Sequence, residues 1–171
     1  MSKRLIVVED YFDHLNLLLP EIKKIKLYNC KQFNKKYTDQ IQKWPGQRSG
    51  DLLQENPILL AYALSSFNKF NLDVNKIRVF SYVHFRGDSS LGKDWIHKDK
   101  CDYSMLIYLN ETNPDSGTYI LDDNGNVISD VKYVQNRAVV YSGSHNHLAY
   151  GHFGDSPENG RLTLNFFIHY I

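Results

Sequence analysis

Two ionisable residues, His97 and Asp99, stand two positions apart just before an apolar run. In an extended segment, residues i and i+2 point to the same face, so these two side chains would lie together. If that face is buried, each side chain needs a partner, because an unpaired buried polar or charged group is costly. A bound metal ion is one such partner, and a salt-bridged pair at the surface is the alternative. The spacing alone leaves both interpretations open.

Three further histidines follow an apolar strand in the segment "YSGSHNHLAYGH" (141–152): His145, His147 and His152. Segments that follow strands often carry functional groups. One of these histidines, together with His97 and Asp99, would give two imidazoles and one carboxylate. That set is the facial triad of non-haem iron(II) oxygenases, which leaves coordination positions open for a co-substrate and O₂.

An arginine, Arg161, begins the next apolar strand, "RLTLNFF". An oxygenase that uses 2-oxoglutarate must anchor the far carboxylate of this co-substrate, and a guanidinium can do so with two parallel hydrogen bonds. A strand that pairs back past the distal histidine would place Arg161 deep in the fold beside the metal. Each residue alone is weak evidence, and the ordered set carries the prediction.

The elements that must position these residues change in character near residue 76. Before it, apolar residues recur at helical spacing, and Asn56-Pro57 marks a helix start. After it, alternating segments predict strands at 76–85, 104–110, 117–123, 137–143 and 161–171, and "DDNGN" (122–126) predicts a tight hairpin turn. We therefore expect an α+β, mainly β fold in a single domain over 1–171. Residues 1–75 would form a helical support region, and residues 76–171 an antiparallel sandwich or barrel.

Composition bounds the function classes. The 171 residues carry a net charge of +1, which gives no argument for a nucleic-acid partner. The two cysteines form no CxxC motif and favour free thiols in a reducing compartment. No apolar run approaches membrane-spanning length, so no membrane association and a cytoplasmic location are expected. The sequence makes no prediction of the oligomeric state.

Four segments resemble the core of the Fe(II)/2-oxoglutarate-dependent dioxygenase superfamily: "WIHKDK", "MLIYLN", "SGTYI" and "NRAVVYSGSHNHLAYGHFGDSPENGRLTLNFF". The resemblance covers about residues 76–171 and is strongest to the prolyl-hydroxylase-like branch, including short members from bacteria and phages. It implies a double-stranded β-helix, also called a jelly roll or cupin-like fold, preceded by N-terminal helices. For a bacterial member the location would be the bacterial cytoplasm, and for a phage member the cytoplasm of its host.

The resemblance also implies roles for individual residues. Iron(II) would be bound by His97, Asp99 and His147. His145 is the alternative distal ligand, and His152 is a more remote one. Arg161 would bind the far carboxylate of 2-oxoglutarate, assisted by the hydroxyl of Tyr108 in the "YLN" motif. Packing in the core of a strand is the alternative role for Tyr108.

The implied reaction is hydroxylation of a C–H bond with release of succinate and CO₂. It requires Fe(II), 2-oxoglutarate and O₂, with ascorbate as an activator. The first substrate to consider is a peptidyl proline, and a small metabolite or free amino acid is the alternative. A non-catalytic, cupin-type barrel that binds a metal or ligand is the second alternative. The last strand lacks the second arginine found in nucleic-acid demethylases of the superfamily, which disfavours a nucleic-acid substrate.

The substrate mouth is predicted to be lined by Tyr82, Phe85, Arg86 and Trp95. Tyr82 and Phe85 compete for one position there, and core packing is the alternative role for Trp95. The polar loop "RGDSSLGKD" (86–94) begins at Arg86 and ends just before Trp95, and it is expected to act as a lid.

Overall fold

A computed structural model of the chain describes residues 5–38, 43–88 and 94–171. Within these residues, all helices lie before residue 77. They are α1 (Leu15–Lys23), α2 (Cys30–Tyr37), α3 (Leu52–Glu55) and α4 (Pro57–Ser65), followed by two 3-10 helices at Phe67–Phe70 and Val74–Lys76. As predicted, α4 begins at Pro57, and the Asn56 side chain caps it by accepting the Leu59 N–H at 3.1 Å.

The described residues contain ten strands, which form two antiparallel sheets. They are β1 (Leu5–Val8), β2 (Tyr28–Asn29), β3 (Gln47–Arg48), β4 (Ile77–Arg86), β5 (Tyr103–Tyr108), β6 (Asn113–Leu121), β7 (Val127–Tyr133), β8 (Ala138–Ser142), β9 (Asn146–Tyr150) and β10 (Arg161–Tyr170). The large sheet has the order β1-β8-β5-β10-β4-β3-β2, and the small sheet has the order β7-β6-β9. This mainly β architecture confirms the predicted fold class.

The N-terminal region contributes strands as well as helices, and two of them, β2 and β3, differ from the expected helical support. β1 pairs with β8, and β3 pairs with β4 so that Arg48 lies opposite His84. The difference arises because β2 and β3 are only two residues long and gain their hydrogen bonds from partners distant in sequence. No local periodicity can reveal such strands.

The large sheet separates a hydrophobic core from a cavity. Along β10, alternate residues from Leu162 to Ile168 are fully buried in one core with the N-terminal helices. The other alternating set of β10 lines a cavity on the opposite face: Arg161, Thr163, Asn165 and Phe167. The small sheet covers part of this second face, where Tyr108, Val131 and Tyr133 belong to a second buried cluster. Because side chains alternate between the two faces of a strand, one set from β10 packs in the core and the other faces the cavity.

The predicted hairpin at 122–126 is present between β6 and β7. Gly125 has φ +85°, and the Asp122 carboxylate accepts the N–H groups of Asn124 and Asn126, each at 2.8 Å. The strand prediction missed β7 and β9, whose segments "VISDVKY" and "NHLAY" include exposed or polar positions on the small sheet. Across the described residues, no helix has the length and apolarity needed to cross a membrane.

Candidate metal centre and cavity

His97 and His147 are brought together by a short antiparallel bridge. The His97 N–H donates to the His147 carbonyl at 3.2 Å, and the His147 N–H donates to the His97 carbonyl at 2.9 Å. Two residues further on, the Asp99 N–H donates to the Gly143 carbonyl at 3.0 Å. The segment that carries His97 and Asp99 is therefore held along the end of β8 and the start of β9.

The side chains of His97, Asp99 and His147 converge at one wall of the cavity. One potential ligand atom from each lies within 4.8 Å of the other two. His97 Nε2 is 3.9 Å from Asp99 Oδ1, and His147 Nε2 is 3.4 Å from Asp99 Oδ2. Among the described residues, this is the only group of three or more His, Cys, Asp or Glu side chains placed to hold a metal ion.

Both imidazoles are oriented by hydrogen bonds from the nitrogen that faces away from the cluster. His97 Nδ1 lies 2.9 Å from the Trp95 carbonyl, and His147 Nδ1 lies 3.2 Å from the His145 carbonyl. Because a carbonyl oxygen can only accept, each Nδ1 carries the proton and each Nε2 of the neutral ring presents a lone pair. This arrangement is typical of metal-binding histidines, whose second nitrogen donates to a backbone carbonyl or a carboxylate.

Burial favours the neutral, ligand-competent form of His147. Desolvation lowers the pKa of this imidazole to about 4, although the charge on Asp99 acts in the opposite direction. The carboxylate is itself fixed by Ser104, whose hydroxyl donates to Asp99 Oδ2 at 2.5 Å. One neutral imidazole and one oriented carboxylate therefore face each other across the cluster.

The two alternative histidines lie elsewhere. His145 is buried, and its backbone carbonyl supports the His147 ring rather than its own ring joining the cluster. His152 Nε2 lies 2.5 Å from Asp94 Oδ2, and the other carboxylate oxygen of Asp94 contacts the Arg86 guanidinium. Burial alone would raise the pKa of Asp94, but the His152 hydrogen bond and the Arg86 charge outweigh it and lower that pKa.

Arg161 is a buried cation on the same cavity, with only 3% of its surface exposed. Its Nη2 donates to the Gly117 carbonyl at 3.2 Å and to Thr118 Oγ1 at 3.3 Å. Its Nε has no hydrogen-bond partner, and in the part of the chain that the structure describes no carboxylate lies within 4 Å of it. A buried guanidinium in this state has the charge and a free donor that suit an anion.

Tyr108 is not among the residues that line the cavity, and its hydroxyl bonds to residues of the small sheet. The hydroxyl lies 2.9 Å from Thr118 Oγ1 and 3.2 Å from the Val131 carbonyl, on strands of the small sheet. The ring of Tyr108 lies 5.8 Å from Arg161 Cζ. The reason is that the small sheet closes over this end of β5, so the hydroxyl is sealed between the sheets. Tyr108 thus contacts the arginine and a residue that the arginine binds.

Three of the four residues predicted at the substrate mouth line the cavity, and one does not. The cavity has a volume of about 220 Å³, and Tyr82, Arg86 and Trp95 contribute to its walls. Phe85 does not line the cavity, in contrast to the prediction, because it lies on the opposite face of β4 in the core with the N-terminal helices. The alternation along the strand places Tyr82, His84 and Arg86 together and turns Phe85 away. Residues 89–93 of the expected lid lie outside the described residues.

Arg48 lines the cavity although no sequence pattern indicates it. Arg48 lies in "WPGQRSGDL", where the Pro-Gly and Ser-Gly breakers indicate a loop, and nothing local predicts the pairing of β3 with β4. His84 also lines the cavity, and its Nε2 lies 2.9 Å from the Pro45 carbonyl. Burial places the pKa of His84 well below its usual value, so this imidazole is neutral.

Comparison with solved structures identifies the fold of this chain. No protein-family model and no curated protein sequence matches the chain. Solved structures of oxygenases do match. HygX from Streptomyces hygroscopicus, with nickel and 2-oxoglutarate bound, is 14% identical with a TM-score of 0.62, covering 99% of this chain and 84% of that chain. The fold is that of the 2-oxoglutarate- and iron(II)-dependent oxygenases.

Two further structures support the same fold. A prolyl-4-hydroxylase from Pseudomonas putida is 15% identical with a TM-score of 0.57, covering 99% of this chain and 94% of that chain. A 2-oxoglutarate-Fe(II) oxygenase family protein from Burkholderia pseudomallei is 11% identical with a TM-score of 0.64, covering 96% of this chain and 84% of that chain. Because these neighbours have the jelly-roll core of that class, the predicted double-stranded β-helix is confirmed.

Proposed function

We propose that the protein is an Fe(II)- and 2-oxoglutarate-dependent oxygenase that hydroxylates a C–H bond of its substrate. The observation that carries the proposal is the meeting of two groups on one cavity. These are a cluster of two imidazoles and one carboxylate and a buried guanidinium with an unpaired nitrogen. The first group suits an iron(II) ion, and the second suits the far carboxylate of the co-substrate.

The donor set fits iron(II) in type and in orientation. His97 and His147 would bind it through Nε2, because each Nδ1 is engaged by a backbone carbonyl. Asp99 would supply the carboxylate, which Ser104 holds through Oδ2. Three ligands leave room for other molecules at the metal, as oxygen chemistry requires. When bound, iron(II) supplies the activation of O₂ and the oxidative decarboxylation of 2-oxoglutarate to succinate and CO₂.

Arg161 would bind and orient the co-substrate from the other end. Its guanidinium is already placed by Gly117 and Thr118, so little side-chain freedom is lost when a carboxylate arrives. Tyr108 and Thr118 act here as positioning residues: the Tyr108 hydroxyl engages Thr118, and its ring lies beside the guanidinium. Burial of this corner excludes water and strengthens the ion pair that would form.

Peptidyl proline is the first substrate to test, and a small metabolite or free amino acid is the second. Both kinds of ligand occur among the structural neighbours. One is a prolyl hydroxylase from Trichoplax adhaerens in complex with a peptide fragment, and another is HygX with hygromycin B bound. Their similarity to this chain is 9% and 13% identity, which does not decide between the two classes.

The deciding experiment is succinate formation from 2-oxoglutarate, with Fe(II) and ascorbate, in the presence and absence of proline-containing peptides. We expect uncoupled succinate formation by the wild-type protein and its loss in His97→Ala. A substrate would be identified by a mass increase of one oxygen. If the protein binds metal but forms no succinate under any condition, the non-catalytic barrel is the correct function. If His97→Ala binds metal as the wild type does, the assigned ligand set is wrong.

A further inference from the structure

A second arginine, Arg48, faces the cavity from β3 and has no role in the function proposed above. It lies opposite His84 across the β3–β4 pair, so its side chain shares the face that Tyr82, His84 and Arg86 present to the cavity. It also borders a more open cleft of about 300 Å³ that shares Tyr82, Asp99 and Phe167 with the cavity. Arg48 therefore lies where the cleft joins the cavity, next to the candidate metal site. Arg161, in contrast, does not border the cleft.

Aromatic rings fix the Arg48 guanidinium in place. Its Cζ lies 4.1 Å from the centroid of the Trp44 ring and 4.5 Å from that of the Tyr82 ring. Phe33 and Phe167 lie slightly further away, at 5.7 Å and 6.0 Å. Rings stabilise an arginine through its faces and leave its N–H groups, which point outward in the plane, free for other partners.

The buried Nε of this guanidinium has no hydrogen-bond partner among the described residues. None of their carboxylates forms an ion pair with Arg48 within 4 Å, although the charge on Asp99 attracts it from further away. Arg86, on the same cavity, is different because Asp94 neutralises it. A guanidinium that is stacked, partly buried and unpaired has its donors prepared for an anion.

With iron(II) and 2-oxoglutarate bound, Arg48 would be the half-buried cation of the cavity whose charge is not balanced by a nearby anion. Iron(II), Asp99, Arg161 and the dianionic 2-oxoglutarate together sum to zero, and the Arg86–Asp94 pair is neutral. Lys43 also borders the cavity and Lys100 borders the cleft, but both are exposed to water. A further anion beside the metal would therefore be attracted by Arg48 and not repelled by the filled site.

We propose that Arg48 binds a carboxylate of the primary substrate and so selects acidic substrates. The assignment rests on the proposed oxygenase function. A planar carboxylate matches the fork of the guanidinium with two parallel hydrogen bonds. Its position at the junction places Arg48, like the candidate metal ligand Asp99, beside a substrate that enters through the cleft. The carboxylate can belong to a small acid, such as a free amino acid, or to an acidic side chain in a peptide.

The test compares probes that differ only in this charge. With Fe(II), 2-oxoglutarate and ascorbate, succinate formation above the uncoupled rate is measured for free L-amino acids and for their carboxamides. A second arm uses blocked Pro-Glu and Pro-Gln dipeptides. We expect at least a tenfold preference for the acid over its amide in one arm. Preference in the first arm identifies a small acid as the source, and preference in the second identifies an acidic peptide.

Variants assign the preference to Arg48. In Arg48→Met the ratio of acid to amide is expected to fall to about one, and in Arg48→Lys, which keeps the charge but loses the fork, to an intermediate value. Because each ratio is taken within one variant, a change in its overall rate cancels. Arg78→Met is the matched control: this exposed arginine contacts the Phe80 ring at 4.8 Å and lies outside the cavity, so the wild-type ratio is expected.

The outcomes separate the two proposals. If the wild-type protein forms no succinate at all, the oxygenase function fails and the Arg48 assignment fails with it. If it forms uncoupled succinate but no acid exceeds its amide, only the Arg48 assignment is overturned. It is also overturned if Arg48→Met, shown to be folded by its thermal unfolding, keeps the wild-type ratio.

Discussion

Each candidate metal ligand is held by a hydrogen bond that leaves another of its atoms available to bind the metal. His97 and His147 are held through Nδ1 by backbone carbonyls, and Asp99 is held through Oδ2 by Ser104. Such bonds orient a ligand before the metal arrives, and losing one typically costs 10- to 100-fold in metal affinity. The Ser104 bond is the only one of the three that a side-chain substitution removes cleanly.

We expect Ser104→Ala to lower the affinity of the protein for Mn(II), used as a redox-inert probe, by about tenfold. The reason is that the Asp99 carboxylate loses the donor that orients it. Titration of metal-free protein, with free Mn(II) followed by electron paramagnetic resonance, measures the change. Ser142→Ala is the control, since the Ser142 hydroxyl pairs with Ser144 at 2.9 Å outside the cavity. Equal affinities for Ser104→Ala and wild type would contradict the prediction.

Arg161 allows a test of co-substrate binding that needs no turnover. With Mn(II) present and 2-oxoglutarate at about 100 times its Kd, the free energy of unfolding of the wild-type protein should rise by about 2.7 kcal/mol. We expect Arg161→Met to lose most of this increase, because the far carboxylate loses its buried partner. Urea unfolding with and without 2-oxoglutarate measures it. The exposed Arg78→Met should respond as the wild type does, and a full response by Arg161→Met would refute the assigned role.

At the scale of elements, Gly143 allows the ligand-bearing segment to reach the end of β8. A Cβ at this position would overlap the carbonyl oxygen of Cys101. Its own N–H donates to the Asp102 carbonyl at 3.0 Å, and its carbonyl accepts the Asp99 N–H at 3.0 Å. Only a residue without a side chain permits both bonds, which fix the segment between Asp99 and Asp102.

Gly143→Ala is therefore expected to destabilise the protein by about 2 kcal/mol or more and to weaken Mn(II) binding. Both effects follow from displacement of the 99–102 segment. Gly125→Ala is a suitable control, because Gly125 has φ +85° but no atom within 4 Å of an added Cβ. That change should cost about 1 kcal/mol from backbone strain alone and leave metal affinity unchanged. Metal affinity that falls equally in both variants would contradict the argument.

The elements also explain what could be read from the sequence. Alternation predicted β4, β5, β8 and β10, because each of these strands has one face in a core. It also grouped His97 with Asp99. It did not reveal which sheet covers the hydroxyl of Tyr108, or that Phe85 faces the helices, because both depend on contacts between distant segments. Arg48 was missed for the same reason: two residues of strand carry no period.

At the scale of the whole molecule, Tyr133 links the two sheets above the cavity. Its hydroxyl, on β7, donates to the Leu162 carbonyl of β10 at 2.7 Å and accepts the Asn110 N–H at 3.1 Å. Leu162 follows Arg161 directly, so this link also fixes the strand end that carries the candidate co-substrate ligand. Burial raises the pKa of Tyr133 to about 12, which keeps the hydroxyl protonated as a donor.

We expect Tyr133→Phe to lower the free energy of unfolding by about 2 kcal/mol, because the buried Asn110 N–H loses its partner and the Leu162 carbonyl keeps only the Leu109 N–H. Urea denaturation measures the loss. Tyr119→Phe is the control on the same sheet: its ring stacks on Tyr150 with centroids 4.1 Å apart, and a phenylalanine keeps that contact. Comparable losses in the two variants would mean that the link between sheets contributes nothing beyond an ordinary surface tyrosine.

The two buried neutral imidazoles, His84 and His147, should make the metal-free protein sensitive to acid. Burial holds the pKa of each below the value of about 6.5 expected in the unfolded chain. Above pH 6.5 both states are neutral at these positions, so neither histidine affects stability. As the pH falls further, the unfolded chain binds protons that the folded protein does not, and stability decreases.

Between pH 7.5 and 5, the expected loss is about 2 kcal/mol for His147, and His84 contributes a further loss in the same direction. Urea unfolding of metal-free protein at pH 7.5, 6 and 5 measures it. His84→Gln keeps a donor for the Pro45 carbonyl but cannot titrate, so its loss over this range should be smaller than in the wild type by the share that His84 contributes. His14→Gln, which changes a surface histidine, should keep the wild-type dependence. If His84→Gln loses as much stability in acid as the wild type, the neutral state assigned to His84 is wrong.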